Sequence, residues 1–445
     1  YGKENYKQMQ KEVNDNILKA KGEYKKKVED LFDKNDSKAA WQGLRVLTGM
    51  SKEKKEVAIL NDKGSADRVN NFYARFDDKD FRQEHCEIKL SLVSRCDNTE
   101  FDLPMEEVSK VINFIKVSKA PGPDHLSGKL IKQCKSSLLY ILHYIFQLSF
   151  RTCTFPSLWK VGEIIPAPKK DIAIVDNDLR PITLTCILAK CLERLGLNLL
   201  MPHVENSLDP LQFAYLPGRS TDDAVLTLIH KITKHLDKKS SNTARILYID
   251  FSSAFNTIQP HLMVKKLDAL GVPHFLQLWI LDYLTNRYQY VRTSHEVSET
   301  ININTGAPQG CVLSPVLFII YTNDMAWNSD CVFVVKFADD AAIASLIKND
   351  DDSEYLESIG FVSTWCSDNF LDLNVPKTQE EIFDFRKNTV TAEPVMINGQ
   401  QVKRSEVYKY LGIFVDDKLS FSDHIDDKIK KANKRLYFAR VLRKL

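Results

Sequence analysis

The sequence predicts a mixed α+β protein. Three observations carry that expectation: helical patterns at both ends, short apolar strand-like runs in the middle, and an alternating hairpin between them. Residues 1–50 hold long Lys/Glu-rich stretches without proline, then an amphipathic segment at Trp41, Leu44 and Leu47, all read as helix. Pro104-Met105-Glu106-Glu107 puts proline and acids in a first turn, and Val108, Val111, Ile112 and Ile115 follow at helical spacing. That helix must stop by Ala120-Pro121-Gly122-Pro123, and one further apolar helix is expected over roughly 126–150. Ile246-Leu247-Tyr248-Ile249-Asp250-Phe251 reads as a buried strand with an acid at its end. Pro260 and Pro273 each open a helical pattern, and residues 288–305 alternate like a hairpin. Cys331-Val332-Phe333-Val334-Val335-Lys336 is a second buried strand, broken by Ala338-Asp339-Asp340 before residues 341–347 resume apolar. The last 22 residues form a basic helix with Ile425, Ile429, Ala432 and Leu436 on one stripe.

Composition narrows the classes. The chain has 445 residues, 44% hydrophobic and 27% charged, enough for two or three structural units. The formal charge is +2, but residues 1–55 carry +5 and residues 424–445 carry +6, leaving the middle at −9. Basic ends around an acidic centre suit a polyanion better than a membrane. The most apolar run, residues 138–150, includes His143 and Gln147 and is shorter than the ~18–20 residues of a membrane span. No secretory signal opens the sequence. The 9 cysteines are odd in number, with no Cys-x-x-Cys pair, which argues against a disulfide framework or a zinc site and points to a reducing compartment. The chain opens at Tyr1 rather than Met and stops inside a helical pattern, as a piece of something longer would.

Three carboxylates carry the chemistry. An Asp closing a core strand (Asp250) and two Asp at a hairpin tip (Asp339, Asp340) are costly in a β core unless paired or metal-bound. An adjacent Asp pair is usually a solvated turn, but here both flanks are hydrophobic strands. If the strands are neighbours, the three acids converge, and hard oxygen ligands so gathered suit Mg²⁺. Two such ions ~3.5–4 Å apart can activate a hydroxyl and stabilise a leaving oxygen in phosphoryl transfer.

Phe337-Ala338-Asp339-Asp340 after a hydrophobic strand resembles the signature of reverse transcriptases, and the surrounding order resembles the enzyme of a non-LTR (LINE-like) retrotransposon. Ser118-Lys119-Ala120-Pro121-Gly122-Pro123-Asp124 is similar to the family's segment ahead of the fingers. Pro166-Ala167-Pro168-Lys169-Lys170 and Leu179-Arg180-Pro181-Ile182 resemble the two finger motifs. Gln212-Phe213-Ala214-Tyr215 with Pro217-Gly218-Arg219-Ser220-Thr221 is similar to the insertion that separates this class from retroviral enzymes. Asp250-Phe251-Ser252-Ser253-Ala254-Phe255 matches the first catalytic motif, and Gly306-Ala307-Pro308-Gln309-Gly310-Cys311-Val312-Leu313-Ser314-Pro315 the next. Asn374-Val375-Pro376-Lys377-Thr378 and Tyr410-Leu411-Gly412 resemble the closing palm motifs. Two residues depart from the pattern: Asn256, where relatives commonly carry Asp, and Pro376, where a non-proline is usual.

The resemblance implies a right-hand polymerase: a helical extension over 1–100, fingers and part of the palm over 101–245, a palm with an antiparallel sheet over 246–415, and the start of a truncated thumb over 416–445. It implies an RNA-directed DNA polymerase adding deoxynucleotides to a primer 3′-hydroxyl. Asp250, Asp339 and Asp340 would hold two Mg²⁺ ions, with Mn²⁺ a possible substitute. Phe255 would reject a 2′-hydroxyl by volume, unless it is simply a core phenylalanine. Arg180 and Lys169 would hold triphosphate oxygens, the guanidinium fork of Arg180 suiting that role and Lys169 reading equally well as a solvated lysine. Gln309 and Gly310 would border the nascent base pair. Lys377 reads as a proton donor to pyrophosphate or as a surface charge, and Tyr410 and Leu411 as supports of the primer terminus or as packed strand. The implied partners are an RNA template, a DNA primer or target and dNTPs, with no membrane, and the family's chromosomal priming implies the nucleus. Competing readings are a retroelement remnant that only binds nucleic acid and an RNA-dependent RNA polymerase, the latter opposed by Phe255.

Overall fold

A computed structural model of the chain describes residues 2–34, 36–47, 57–96, 101–170, 172–238, 242–387 and 392–444. These fall into two compact units, one drawn from 1–56 and 420–445 and the other from 57–419. The smaller unit is helical: Gly2–Asp33, Ser37–Leu47 and Ser422–Lys444. Its core is small, with Val28, Ala40 and Leu44 buried and the Trp41 ring edge-on to Phe32 and Phe438 at 5.9 and 6.4 Å. The first two helices approach closely at Gly43, where an added Cβ would lie 2.6 Å from Val28 Cγ2. Ile425, Ile429 and Leu436 of the expected apolar stripe remain exposed.

The larger unit carries the strands, in chain order β1 (Val161–Pro168), β2 (Leu179–Leu184), β3 (Thr243–Ile249), β4 (Arg287–Val291), β5 (Ile301–Ile303), β6 (Val332–Phe337), β7 (Asp340–Ile347), β8 (Gln379–Phe383), β9 (Met396–Ile397), β10 (Gln400–Gln401), β11 (Lys403–Arg404), β12 (Val407–Tyr410) and β13 (Ile413–Asp416). One sheet has the order β2-β1-β4-β5 and another β11-β8-β3-β7-β6, while β9-β10 and β12-β13 are separate pairs. Every residue of β3 is buried, as an apolar run without alternation requires of a strand covered on both faces. Leu247 and Ile249 of β3 and Ala341 and Ile343 of β7 pack into a core with the helices Ser314–Tyr321 and Ser353–Asp368. Ile246, Tyr248, Ala342 and Ala344 face the helix Thr221–Leu236 and the β12-β13 hairpin. That helix begins at a capping box in which Ser220 and Asp223 satisfy each other's backbone N–H groups.

The single helix expected over 126–150 is two. Gly128–Gln133 ends and Lys135–Arg151 begins at Cys134, whose φ of −92° and ψ of 11° leave the helical region. Two serines follow immediately at 136 and 137, residues that compete with helical hydrogen bonds for their own backbone. The helix ahead of the Pro-Gly-Pro segment spans Met105–Asn113, with Val108, Val111 and Ile112 buried as their spacing requires. Strand β8 was not expected: Gln379-Glu380-Glu381 is poor strand material, and its pairing with β3 depends on partners supplied by the fold.

Candidate active site

The candidate site forms where β3 ends beside the β6-β7 hairpin. The ladder pairs Ile249 with Ala341 and Phe337 with Asp340, so Asp250, one residue past its last pair, stands across from Asp340. Cross-strand neighbours of this kind have Cβ atoms ~4.5–5.5 Å apart. Ala338 and Asp339 make the two-residue turn, and Ala338 takes φ 57°, the positive value a tight hairpin asks of its first central residue. Strand pairing thus brings the three expected carboxylates to one tip.

Their electrostatics follow. Asp339 and Asp340 reach solvent but are closely surrounded by protein, and burial is the first cause of their raised proton affinity. Asp340 rises to about 6, with Asp339 and Asp250 adding repulsion. Asp339 is also raised by Asp250, against a backbone hydrogen bond and Arg180. Asp250 has its side chain 36% exposed and its Oδ2 3.4 Å from Lys377 Nζ. Its backbone is pinned: Asn374 N donates to Asp250 O at 2.8 Å. Among the described residues, no group of three or more His, Cys, Asp or Glu is already arranged to hold a metal ion. The acids are neighbours rather than a closed cage. Their donor set, oxygen-only and short of positive partners, is still what a hard divalent cation requires.

Cations approach from separate segments. Lys169 follows β1, and Arg180 sits in β2 across from Ala167. Lys169 Nζ donates to Asn177 O at 2.6 Å. Its ammonium is held below the usual lysine range by burial first, then by Lys377 and Arg180, and in smaller part by Arg75. Arg75 is the member sequence reasoning missed: nothing in its local spacing marks it, and only the fold brings residue 75 to the segment after Asp250.

Gln309 and Gly310 are docked on β2. Thr183 N donates to Gln309 O at 2.8 Å, and Gly310 takes φ 111° with its missing Cβ only 2.9 Å from Thr183 O. Gln309 Nε2 donates to Asn256 Oδ1 at 3.2 Å, an acceptor that Asn and Asp both offer, so Asn256 keeps this function. Phe255 is half-buried against Phe318, centroids 4.9 Å apart, and its carbonyl accepts from Ala307 N at 2.8 Å. The turn holding Pro376 closes through Lys377 N and Thr378 N onto Asn374 O, so proline's missing N–H costs it no hydrogen bond.

Tyr410, Leu411 and Gly412 lie at the turn of β12-β13, with Leu411 at φ 47° and Gly412 at φ 90°. Tyr410 is buried, and Tyr408 stacks on Tyr248 with centroids 4.0 Å apart. Burial and then Asp340 raise both phenols, Tyr408 to about 12. Two further residues gain no site role from the sequence, where Tyr215 stands only as part of a motif. Tyr215, at φ 59°, has its phenol raised by burial and then by Asp339. Glu193 is 1% exposed and accepts from Val312 N at 2.6 Å and Leu313 N at 3.3 Å, bracing the loop that carries Gln309. A lone acid on the apolar face of an otherwise hydrophobic helix was the available signal.

The family model described as reverse transcriptase (RNA-dependent DNA polymerase) matches residues 167–431, more than half of the chain. The RNA-directed DNA polymerase from mobile element jockey of Drosophila melanogaster is 28% identical over 336 residues, 72% of this chain and 36% of that protein. The probable RNA-directed DNA polymerase from transposon BS of the same fly is 27% identical over 351 residues, 75% of this chain and 38% of that protein. The chain thus spans little more than a third of the curated relatives it matches. A solved apo telomerase of Candida tropicalis, truncated from its C-terminal domain, aligns over 67% of this chain and 60% of its own. Its TM-score is 0.41 and its identity 10%, too distant to decide the fold.

Proposed function

The chain belongs to the reverse transcriptase family, with relatives from non-LTR retrotransposons, and from that premise we propose that it is an RNA-directed DNA polymerase that extends a primer 3′-hydroxyl with deoxynucleotides on an RNA template. The observation that carries the reading is the register setting Asp250 across from Asp340, with Asp339 at the adjoining turn. The family depends on divalent metal, and these three acids would hold two Mg²⁺ ions, with Mn²⁺ a substitute. Bound there, the ions supply charge neutralisation for the attacking and leaving oxygens.

The chain's own groups do the rest. The primer 3′-hydroxyl gives up its proton to water as its oxygen bonds the α-phosphorus, the α–β bridging P–O bond breaks, and pyrophosphate leaves with that electron pair. Arg180 and Lys169 take triphosphate oxygens, the guanidinium in a bidentate grip. Lys377, 3.4 Å from Asp250, is poised to deliver a proton to the leaving pyrophosphate. Phe255, half-buried beneath the site, excludes a 2′-hydroxyl. Gln309 and Gly310 border the nascent pair, and Tyr410 and Leu411 support the primer terminus. The architecture fits a right hand, with an extension over 1–100, fingers and part of the palm over 101–245, palm over 246–415 and the start of a thumb from 416. RNA template, DNA primer and dNTPs are the partners, and the nucleus is the compartment where chromosomal priming would occur. No helix among the described residues is long and apolar enough to cross a membrane.

The test is primer extension by purified chain on an RNA template with Mg²⁺ or Mn²⁺. Asp339→Ala should lower product by at least about a hundredfold, the scale of losing a main electrostatic contact to the reacting centre. Equal product from parent and variant would overturn the assignment of the site. RNA binding without extension by the parent under either metal would favour the binding-only remnant.

A further inference from the structure

Arg75 lies just past the helix Ser65–Ala74, within the 1–100 stretch that the resemblance reads as a helical extension and gives no nucleotide-binding role. Its guanidinium carbon sits over the Phe72 ring at 3.7 Å and the Phe76 ring at 4.2 Å, two aromatic contacts that restrict where the charge points. Nη1 donates to Phe72 O, and Nη2 reaches Ser253 Oγ at 3.4 Å. Two of five N–H donors are thus engaged, one of them weakly. Among the described residues no carboxylate forms an ion pair with it, and Asp372 acts on it only as a nearby charge. A positioned, solvent-exposed cation with donors to spare is an anion receptor.

The location decides which anion. Ser253 is three residues beyond Asp250, and three residues of chain reach at most ~10 Å. The guanidinium is therefore tethered to the segment that leads from the catalytic acid to Phe255. Lys169, Arg180 and Lys377 share its neighbourhood, as their joint effect on the Lys169 ammonium shows. Two of these cations are fixed to the segment of the catalytic acid, Lys377 at 3.4 Å from Asp250 Oδ2 and Arg75 at 3.4 Å from Ser253 Oγ, where a polyphosphate tail would lie if the acids hold the α-phosphate.

We propose that Arg75 is a phosphate-binding residue of the polymerase centre, taking the triphosphate tail of the incoming nucleotide together with Lys169 and Arg180. The inference rests on the polymerase reading. The same guanidinium chemistry would also grip a phosphate of the template backbone, so the experiment must separate the two sources.

Single-nucleotide primer extension with the full chain does so, comparing parent, Arg75→Ala and Arg75→Gln. The glutamine keeps a stem for the space between the two rings and an amide to reach Ser253, but no charge, so it serves if the alanine variant fails to fold. The removed contact is a charged hydrogen bond, so the KM for dNTP should rise about tenfold in both variants while kcat stays within about threefold. Inhibition by inorganic tripolyphosphate should weaken by a similar factor, and the Kd for the RNA–DNA primer duplex should not move. Unchanged KM and unchanged tripolyphosphate inhibition in folded variants would overturn the proposal. So would a rise in duplex Kd matching the rise in KM, which would assign Arg75 to the template. An inactive parent would instead overturn the polymerase reading, so the two failures are distinct.

Discussion

Gly310→Ala tests how the loop proposed to border the nascent base pair is held. Glycine is required there twice over. Its φ of 111° is a conformation L-residues rarely adopt, which costs ~1–3 kcal/mol on its own. A Cβ would also meet Thr183 O at 2.9 Å, and that oxygen cannot retreat cheaply. Thr183 is buried, paired with Ile164 across β1-β2, and donates its own N–H to Gln309 O at 2.8 Å. Relief of the clash therefore pushes Gln309 off β2 rather than moving β2. Strain and displacement together amount to ~2–4 kcal/mol, falling on the segment 306–314.

A displacement approaching 1 Å of a positioning group costs up to ~10²-fold in rate. The expected result is a drop of about 10- to 100-fold in kcat/KM for single-nucleotide extension, with a modest loss in denaturant stability. Gly271→Ala is the control: Gly271 has φ 71° but nothing within 4 Å of an added Cβ, so it suffers strain without a clash, away from the acids. If Gly310→Ala extends primer as well as Gly271→Ala does, the docking of Gln309 on β2 is not what positions the pair, and the reasoning fails.

Other expectations follow from the same geometry. Phe255→Ala should raise the ratio of ribonucleotide to deoxynucleotide kcat/KM by about 10- to 100-fold, the scale of removing a steric barrier from a pocket. A loss of stability with an unchanged ratio would make Phe255 a core residue packed on Phe318 and nothing more. Glu381→Gln should reshape stability against pH. Burial first, with Asp416 and Asp417, lifts this carboxyl from 4.5 to about 8, opposed by the Tyr248 hydroxyl. Between those values the folded chain keeps a proton that the unfolded chain has released, so parent stability falls as pH rises through that window, by at most ~5 kcal/mol. The glutamine variant lacks that loss, so its advantage over the parent should be larger at pH 8.5 than at pH 5 in urea denaturation. An equal difference at both would show that Glu381 does not hold a proton in the folded state.

What the sequence revealed and what it hid separate along physical lines. Asp250 and Asp339 were legible because an acid at the end of an apolar run is locally expensive and therefore conspicuous. Gly310 and Gln309 were legible as a turn, but the reason for the glycine, the carbonyl of Thr183, lies 127 positions away and cannot be read locally. In the sequence Lys336 reads only as the last residue of a buried strand, with no partner assigned. It is 1% exposed and its ammonium meets Asp209 at 2.8 Å, tying β6 to the chain just ahead of Gln212 and Phe213. Strand β8 was hidden because its own residues argue against it. Glu380 is tolerated at 0% exposure only because Arg245, Arg404 and Tyr355 converge on it. Local propensity lost to tertiary pairing there, and no period in the sequence records that outcome.

The way buried acids are partnered elsewhere in this chain supports the proposal that the tip acids serve a ligand. Glu380 is buried deep in the central sheet with two guanidiniums and a phenol on its oxygens, and its charge is fully answered from within. Glu193 is equally buried and is answered by two backbone N–H groups, with burial pressing its proton affinity upward against them. Removing a partner from either would leave an uncompensated buried charge, a loss of ~3–5 kcal/mol for an ion pair, which is what a structural role looks like. The tip of the same sheet is built the other way. Asp339 and Asp340 form no ion pair among the described residues, Asp250 has one lysine at 3.4 Å, and the tandem acids have their proton affinity raised by burial first, then by Asp250 on Asp339 and by Asp339 and Asp250 on Asp340. A fold that answers Glu380 and Glu193 from within, yet leaves three acids side by side near a solvent-facing turn, stores repulsion that an incoming positive charge relieves. Among the described residues only Lys377 pairs with this tip, at 3.4 Å from Asp250, and the tandem acids keep their charge unanswered by any ion pair.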